Sequence, residues 1–542
     1  MSQLDRKEGH MLSLSIKVKV SNSKPDIYNL IKQKYRLADQ EIISFSIIHQ
    51  SLDLRSNYQP NWLFLISLEL SDEKEFVACH PQFQIIEKKP EYSLPLPGSK
   101  CLSNPIVVVG FGPCGMAAAL ALAIKGYRPI VIERGAKIEE RKQIVDDYWH
   151  HATALDLQTN VQFGEGGAGA FSDGKLTTRI KDYRVGMILQ QLIKFGADTQ
   201  IAYYNHPHLG TDNLYKINQA IRDKIIQSGG QILFNTRLDQ LHIKNNQLES
   251  IDLSNGHSIT TNNLILAIGH SARDTFKMLV DKQIPLVNKP FAVGVRIEHL
   301  QSYINERQYR MVPDYSNLPS AEYRLAYNAK NHKGVYSFCM CPGGYVVAGE
   351  SEPETIVTNG MSYASRDGIN ANSALVVQVD ASDYGDDLLA GVAFQRNLEH
   401  QAYLLGQGKA PIQTVGNYLD SSKHNKETTI HPTYPRGVNY VDLHRLFPGK
   451  IDEPLKEMLL HTEKIMPGFT KNGALITAVE TRTSSPIRFL RDSLTLESPI
   501  EGLYPAGEGA GYSGGIVSSA IDGLKCAEKI IASYQIPSND FD

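Results

Sequence analysis

The sequence predicts an α/β protein whose centre is a three-layer, Rossmann-type parallel sheet, interrupted by a mixed α+β domain and preceded by a small ferredoxin-like α/β module. Three observations predict this. A continuous β-branched run at 105–110 (PIVVVG) leads into a glycine turn, a similar run at 129–133 follows a small-residue helix, and residues 12–70 alternate strand, helix, strand, strand.

The N-terminal pattern begins with LSLSIKVKV at 12–20, whose period of two marks a strand with one buried face. Residues 26–35 then read as a helix, and 42–49 and 62–70 as strands, a βαββ unit assigned to 1–95. The stretch 88–104 concentrates Pro, Gly, Ser and Lys and reads as a linker, drawn at 96–104. Next come the 105–110 strand, a helix over 115–125 and the 129–133 strand. Runs of the same kind recur at 231–234, 264–267 and 502–506, so the nucleotide domain is expected from 105–289 and again from 468–542. Between them, 290–467 has a different texture, with strand-like pieces at 291–297, 335–340 and 375–379, and is expected to face the substrate.

Length and composition bound the function. A chain of 542 residues supports two to four domains, and 42% hydrophobic with 21% charged residues is the balance of a globular enzyme. The net charge of −3, with both signs interspersed, argues against a nucleic-acid partner. The longest apolar-rich stretch, 116–124, is too short to span a bilayer. Six cysteines without framework spacing suit a reducing compartment, and the N-terminus lacks a signal-peptide pattern, so the cytoplasm is expected.

The decisive motif is GFGPCG at 110–115. Gly110 permits a tight turn out of the strand, Gly112 clears the backbone for a pyrophosphate, and Gly115 lets the helix lie close to the sheet. Pro113 and Cys114 complete the turn, whose helix N-terminus offers free amides and a favourable dipole to an anion. Glu133, 18 residues beyond Gly115 at the end of the next strand, is placed to accept hydrogen bonds from the hydroxyls of an adenosine ribose, with Arg134 beside it. Its charge would repel a 2′-phosphate. A dinucleotide other than NADP is therefore expected.

Other glycine-rich segments add to the site. QFGEGGAGAFSDGKL at 162–176 holds five glycines, so its backbone lies close to something; cofactor is the expectation for Gly166, Gly167 and Lys175. LILAIG at 264–269 contributes Ala267 and Gly269, and Leu238 follows the 231–234 strand. Near the C-terminus, LYPAGE and GAGYSGGI form a second glycine-rich turn feeding a helix, which an NAD domain does not need.

That late strand and helix resemble those of the two-motif flavoproteins related to glutathione reductase. The resemblance implies FAD, with Gly507 and Glu508 at the ribityl chain and Gly514, Gly515 and Ile516 near the pyrimidine edge of the flavin. GFGPCG, FGEGGAGAFSDGKL, KPFAVGVRIEH, YSFCMCPGGYVV, ETRTSSP and LYPAGEGAGYSGGI together resemble a bacterial family of FAD-dependent dehydrogenases of uncertain substrate. This implies NAD(P)/FAD-dependent oxidoreductase activity on a small molecule. The sequence has no CxxxxC after the first glycine helix, which argues against a disulfide reductase of the glutathione reductase type. NAD(P)H, if the donor, must dock without its own Rossmann domain.

Catalytic side chains are harder to read because the flavin carries the electron chemistry. Cys339 and Cys341, at i and i+2 on an expected strand, would point to one face as redox thiols, substrate contacts or core packing. Arg482, Arg488 and Arg491 are candidates for clamping an anionic substrate or phosphate, or for ion pairs. His206, His208 and His270 show no metal-ligand spacing, and no metal is expected. A second class of function stays open: a flavin-binding sensor whose N-terminal module recruits another macromolecule.

Overall fold

The computed structural model describes residues 10–21, 25–55, 60–87, 92–151, 153–309, 312, 314–420, 428–471 and 473–538. The N-terminal alternation becomes the strand His10–Lys19, which buries Leu12, Leu14 and Ile16 against the helix residues Ile27 and Ile31. Asp26 caps that helix, accepting the Asn29 amide at 3.0 Å. Beyond the expected βαββ, a helix at Glu73–Cys79 and a strand at Gln84–Glu87 extend the unit. The antiparallel sheet runs Ile42–Asp53, Asn61–Leu70, His10–Lys19, Gln84–Glu87. It meets the rest of the chain through a backbone bridge, with the Gln50 amide 2.7 Å from the Tyr203 carbonyl and the Asn205 amide 2.8 Å from that of Gln50.

The described part of the expected linker does not hang free. Gly98 donates to the carbonyls of Ile531 and Tyr534, both at 2.9 Å, so this segment is laid along the end of the last helix. Residues 88–91 of the linker reading lie outside the described residues.

The continuous β-branched runs form the parallel sheet, ordered Leu503–Pro505, Leu264–Leu266, Val107–Val109, Ile130–Ile132, Gln231–Leu233. Both faces are covered, which is why the runs do not alternate. On one face the helix Pro113–Ile124 packs against the helix Ile516–Ser533, so closely that a Cβ at Gly523 would lie 2.0 Å from the Cys114 carbonyl oxygen. The chain thus crosses the nucleotide sheet four times before residue 290 and returns only near its end.

A seven-stranded second sheet fills the interval, ordered Ala326–Asn328, Gly334–Cys341, Asn370–Val379, Phe291–Leu300, Leu475–Glu480, Ala410–Thr414, Val438–Tyr440. It corrects one boundary. Residues from 468 were expected back in the nucleotide part, yet Leu475–Glu480 pairs antiparallel with Phe291–Leu300. All six of its residues are buried, and an apolar run covered on both sides looks the same in either sheet. Return to the nucleotide sheet comes at Leu503.

A buried ion cluster joins the two halves. Glu399, on the helix Ala390–Leu405, pairs with Arg273 at 2.8 Å and Arg482 at 3.0 Å, and Arg273 also reaches Glu352 at 2.5 Å. No helix among the described residues is long and apolar enough to cross a membrane, and none of them form a cluster that could hold a metal ion.

Candidate functional site

The glycine turn forms as its composition dictates. A Cβ at Gly115 would lie 1.9 Å from the Gly110 carbonyl oxygen, so only glycine lets the helix start this close to the strand. At Gly112 the backbone is extended (φ −84°), and a Cβ would make only ordinary contact, 3.6 Å from Gly167 Cα. Space, not strain, distinguishes that position. Among the described residues no side chain caps this helix, nor the one beginning after Gly515.

Both uncapped ends open into one cavity of about 380 Å³. That volume lies in the roughly 300–1,000 Å³ range of cofactor and ligand sites. Its wall includes Glu133, Arg134, Thr236 and Leu238, Gly110 to Cys114 with Gly167, Ala267 and Gly269, and Lys175, Cys339, Glu508 and Gly514 to Ile516. Four of the residues singled out above stand behind the wall. Gly115 supports the turn, Gly166 donates its amide to the Phe111 carbonyl at 2.8 Å, Gly507 donates to Asp522 at 2.7 Å, and Cys341 is fully buried.

Glu133 is held by backbone. Its Oε2 accepts the Phe111 amide at 2.8 Å, and its Oε1 accepts those of Gly135 at 3.0 Å and Gly164 at 2.9 Å. Each carboxylate oxygen has more than one acceptor direction, so capacity remains for a hydroxyl from the cavity. Arg134 is committed to Asp274 at 2.9 Å and lies over the Phe163 ring, 4.3 Å from its centroid.

The glycine-rich 162–176 segment is pinned by residues the sequence reading passed over. Arg141, fully buried, donates to the carbonyls of Asn160 and Val161, both at 3.0 Å, and of Gly164 at 3.2 Å. Glu165 accepts the Ile138 amide and pairs with Arg222, both at 2.7 Å. Lys175 pairs with Asp173 at 2.6 Å, whose other oxygen accepts from Arg366 Nε at 2.9 Å. Only an arginine and a carboxylate flanking a glycine run could have signalled this, and such residues are common.

Burial pushes the Glu508 carboxyl up to about 7, opposed by the Lys289 ammonium. His270 lines the cavity, and burial, then the charges of Arg482 and Arg273, lower it to about 3, so its ring is neutral at physiological pH. The three candidate arginines have protein partners. Arg482 pairs with Glu399, Arg491 with Asp522 at 2.6 Å, and Arg488 donates to the Gly511 carbonyl at 3.2 Å. Arg482 and Arg491 are thus paired with carboxylates while Arg488 is exposed, and Arg482 alone of the three lines the cavity.

Over 512 residues, 94% of this chain and 96% of the relative, the sequence is 44% identical to an uncharacterized protein of Clostridium beijerinckii (strain ATCC 51743 / NCIMB 8052). The chain belongs to the same family. Residues 290–483 match the family described as FAD-dependent protein, C-terminal domain-like, and the cofactor of this FAD-dependent protein is FAD. The matched span coincides with the second sheet, Leu475–Glu480 included.

Among solved structures, the FAD-dependent chain is similar to glycine oxidase from Bacillus cereus ATCC 14579 (12% identity, TM-score 0.30, covering 79% of this chain and 94% of that one). It is also similar to L-proline dehydrogenase from P. horikoshii (12% identity, TM-score 0.32, covering 80% and 93%). Likeness at this level carries no argument about substrate or mechanism.

Proposed function

We propose that the protein is an FAD-dependent oxidoreductase that moves a hydride or an electron pair between bound FAD and a small molecule held by the second-sheet domain, with NAD(P)H as candidate donor. One observation carries the reading: a single cavity whose wall holds two carboxylates, Glu133 and Glu508, and two uncapped helix N-termini. An extended dinucleotide matches that set of groups.

In this reading the amides of Cys114 and Gly115 receive the diphosphate, and Glu133 receives the adenosine ribose. Arg134, Leu238, Ala267 and Gly269 enclose the adenosine, while Gly110, Gly112, Pro113 and Gly167 leave room for the phosphates. Glu508 and Lys175 flank the ribityl chain and ring. The amides of Gly514, Gly515 and Ile516 face the pyrimidine edge, where negative charge builds on reduction. Bound FAD supplies the two-electron chemistry. The chain's own groups orient it and exclude water, and neutral His270 offers a hydrogen bond without adding charge. Residues 290–483 form the substrate domain in this account.

The test is spectroscopic. Purified protein is expected to be yellow, and anaerobic NADH or NADPH to bleach it. A flavin that neither nicotinamide bleaches overturns the proposed donor; a colourless protein that refuses added FAD overturns the whole reading.

A further inference from the structure

The strand Gly334–Cys341 loses register at its end, pairing Phe338 with Ala374 and then Cys341 with Asn372. Two residues, Cys339 and Met340, oppose the single Ser373, so the strand bulges, and Cys339 within the bulge takes φ 45°, a left-handed value that is costly for a residue with a side chain. Strain of this kind persists where surrounding structure enforces it, and it concentrates at working sites. Here it breaks the alternation expected of the strand. Cys339 lines the cofactor cavity, while Cys341 is wholly buried.

The thiols nevertheless meet. Cys341 Sγ lies 3.3 Å from the Cys339 carbonyl oxygen, and the two side chains are close enough to interact. Arg296 donates to that same carbonyl at 3.2 Å and is fixed by Glu480 at 3.0 Å. The hydrogen bond from Cys341, then the charges of Arg296 and Lys175, hold the Cys339 thiol down to about 6 against the opposing effect of burial. Cys341 is pushed up, first by its bond to Cys339 and then by burial. The two sulfurs are pulled in opposite directions, the asymmetry that thiol–disulfide exchange uses.

We propose that Cys339 and Cys341 form a redox-active dithiol that exchanges an electron pair with FAD, giving the site a second two-electron store. The proposal rests on the FAD reading of the cavity. Closing the Sγ–Sγ bond from the Cys339 thiolate and the Cys341 thiol releases two electrons and one proton. FAD takes up both and is reduced to its anionic dihydro form. Opening the bond reverses each transfer. Cys339, at the cavity wall, is the sulfur that faces the cofactor, and Cys341 is its resolving partner.

The experiment is an anaerobic reductive titration of the full-length holoprotein after mild oxidation with diamide, alongside Cys339→Ser and Cys341→Ser. Wild type is expected to take up four electrons per FAD and each variant two. In parallel, alkylation in denaturant followed by peptide mass analysis should find Cys339 and Cys341 protected together in oxidised wild type and alkylated after reduction. Uptake of two electrons by wild type, with both cysteines alkylated after oxidation, overturns the dithiol and leaves the FAD reading standing. A preparation without flavin absorbance, to which FAD does not bind, removes the FAD reading and the dithiol with it. Should a serine variant fail to fold, alkylation of wild type alone still decides, because it follows the two sulfurs directly.

Discussion

Replacing Glu133 by Gln tests the adenosine end of the cavity most sharply, because the carboxylate is surrounded by donors only. Oε1 faces two amides, from Gly135 and Gly164, and Oε2 faces the Phe111 amide. Glutamine best keeps its oxygen toward the pair, which turns its NH₂ toward Phe111 and sets donor against donor. One charge-assisted bond is lost and a buried amide is left unsatisfied, a cost of about 1.5–3 kcal/mol. Native-state hydrogen exchange of FAD-free protein reads this locally. At about 1.4 kcal/mol per tenfold change, amide exchange around Phe111 should accelerate by roughly 10- to 150-fold. FAD should also bind more weakly, since the ribose loses a charged acceptor. Unchanged exchange at Phe111 together with unchanged FAD affinity would refute the reasoning.

Three further outcomes are expected. Gly112→Ala should leave the thermal midpoint near wild type, because its Cβ meets only ordinary contacts, yet weaken FAD binding at least about tenfold by filling the phosphate approach; Gly115→Ala, whose Cβ would strike the Gly110 carbonyl, should instead lower the midpoint of FAD-free protein by several degrees. Glu508 is held up to about 7 against an ordinary 4.5, so the folded state keeps a proton that the unfolded chain releases between those values. The stability of FAD-free protein should therefore fall as pH rises through that window, by at most about 3 kcal/mol, and Glu508→Gln should remove that part of the slope in denaturant melts. Arg273→Met should destabilise by about 3–5 kcal/mol, because it takes one of two cations from buried Glu399, as denaturation midpoints would report.

What the sequence disclosed was local, and what it concealed was brought together over distance. GFGPCG and Glu133 are legible because turn, helix and strand follow within a single βαβ unit. The Gly164 amide that completes the Glu133 cradle comes from 31 residues further on, held by Arg141, and no local pattern predicts that meeting. Leu475–Glu480 is misassigned for a related reason: burial on both faces erases the period that would have named its sheet. Arg482, Arg488 and Arg491 read alike as anion clamps or ion pairs in one dimension; in three, Glu399 and Asp522 pair with Arg482 and Arg491, and Arg488 donates to the Gly511 carbonyl. The Cys339 and Cys341 spacing suggested one shared face; the positive φ at Cys339 divides them between cavity wall and core. The N-terminal sheet was half visible, its last helix and strand being short.

The orientation of the cofactor is the most direct measurement. A crystal structure of the FAD complex should show the diphosphate on the amides of Cys114 and Gly115, the adenosine ribose on Glu133 and the isoalloxazine beside Gly514 to Ile516. A flavin ring lodged at Glu133, or FAD density outside this cavity, would contradict it.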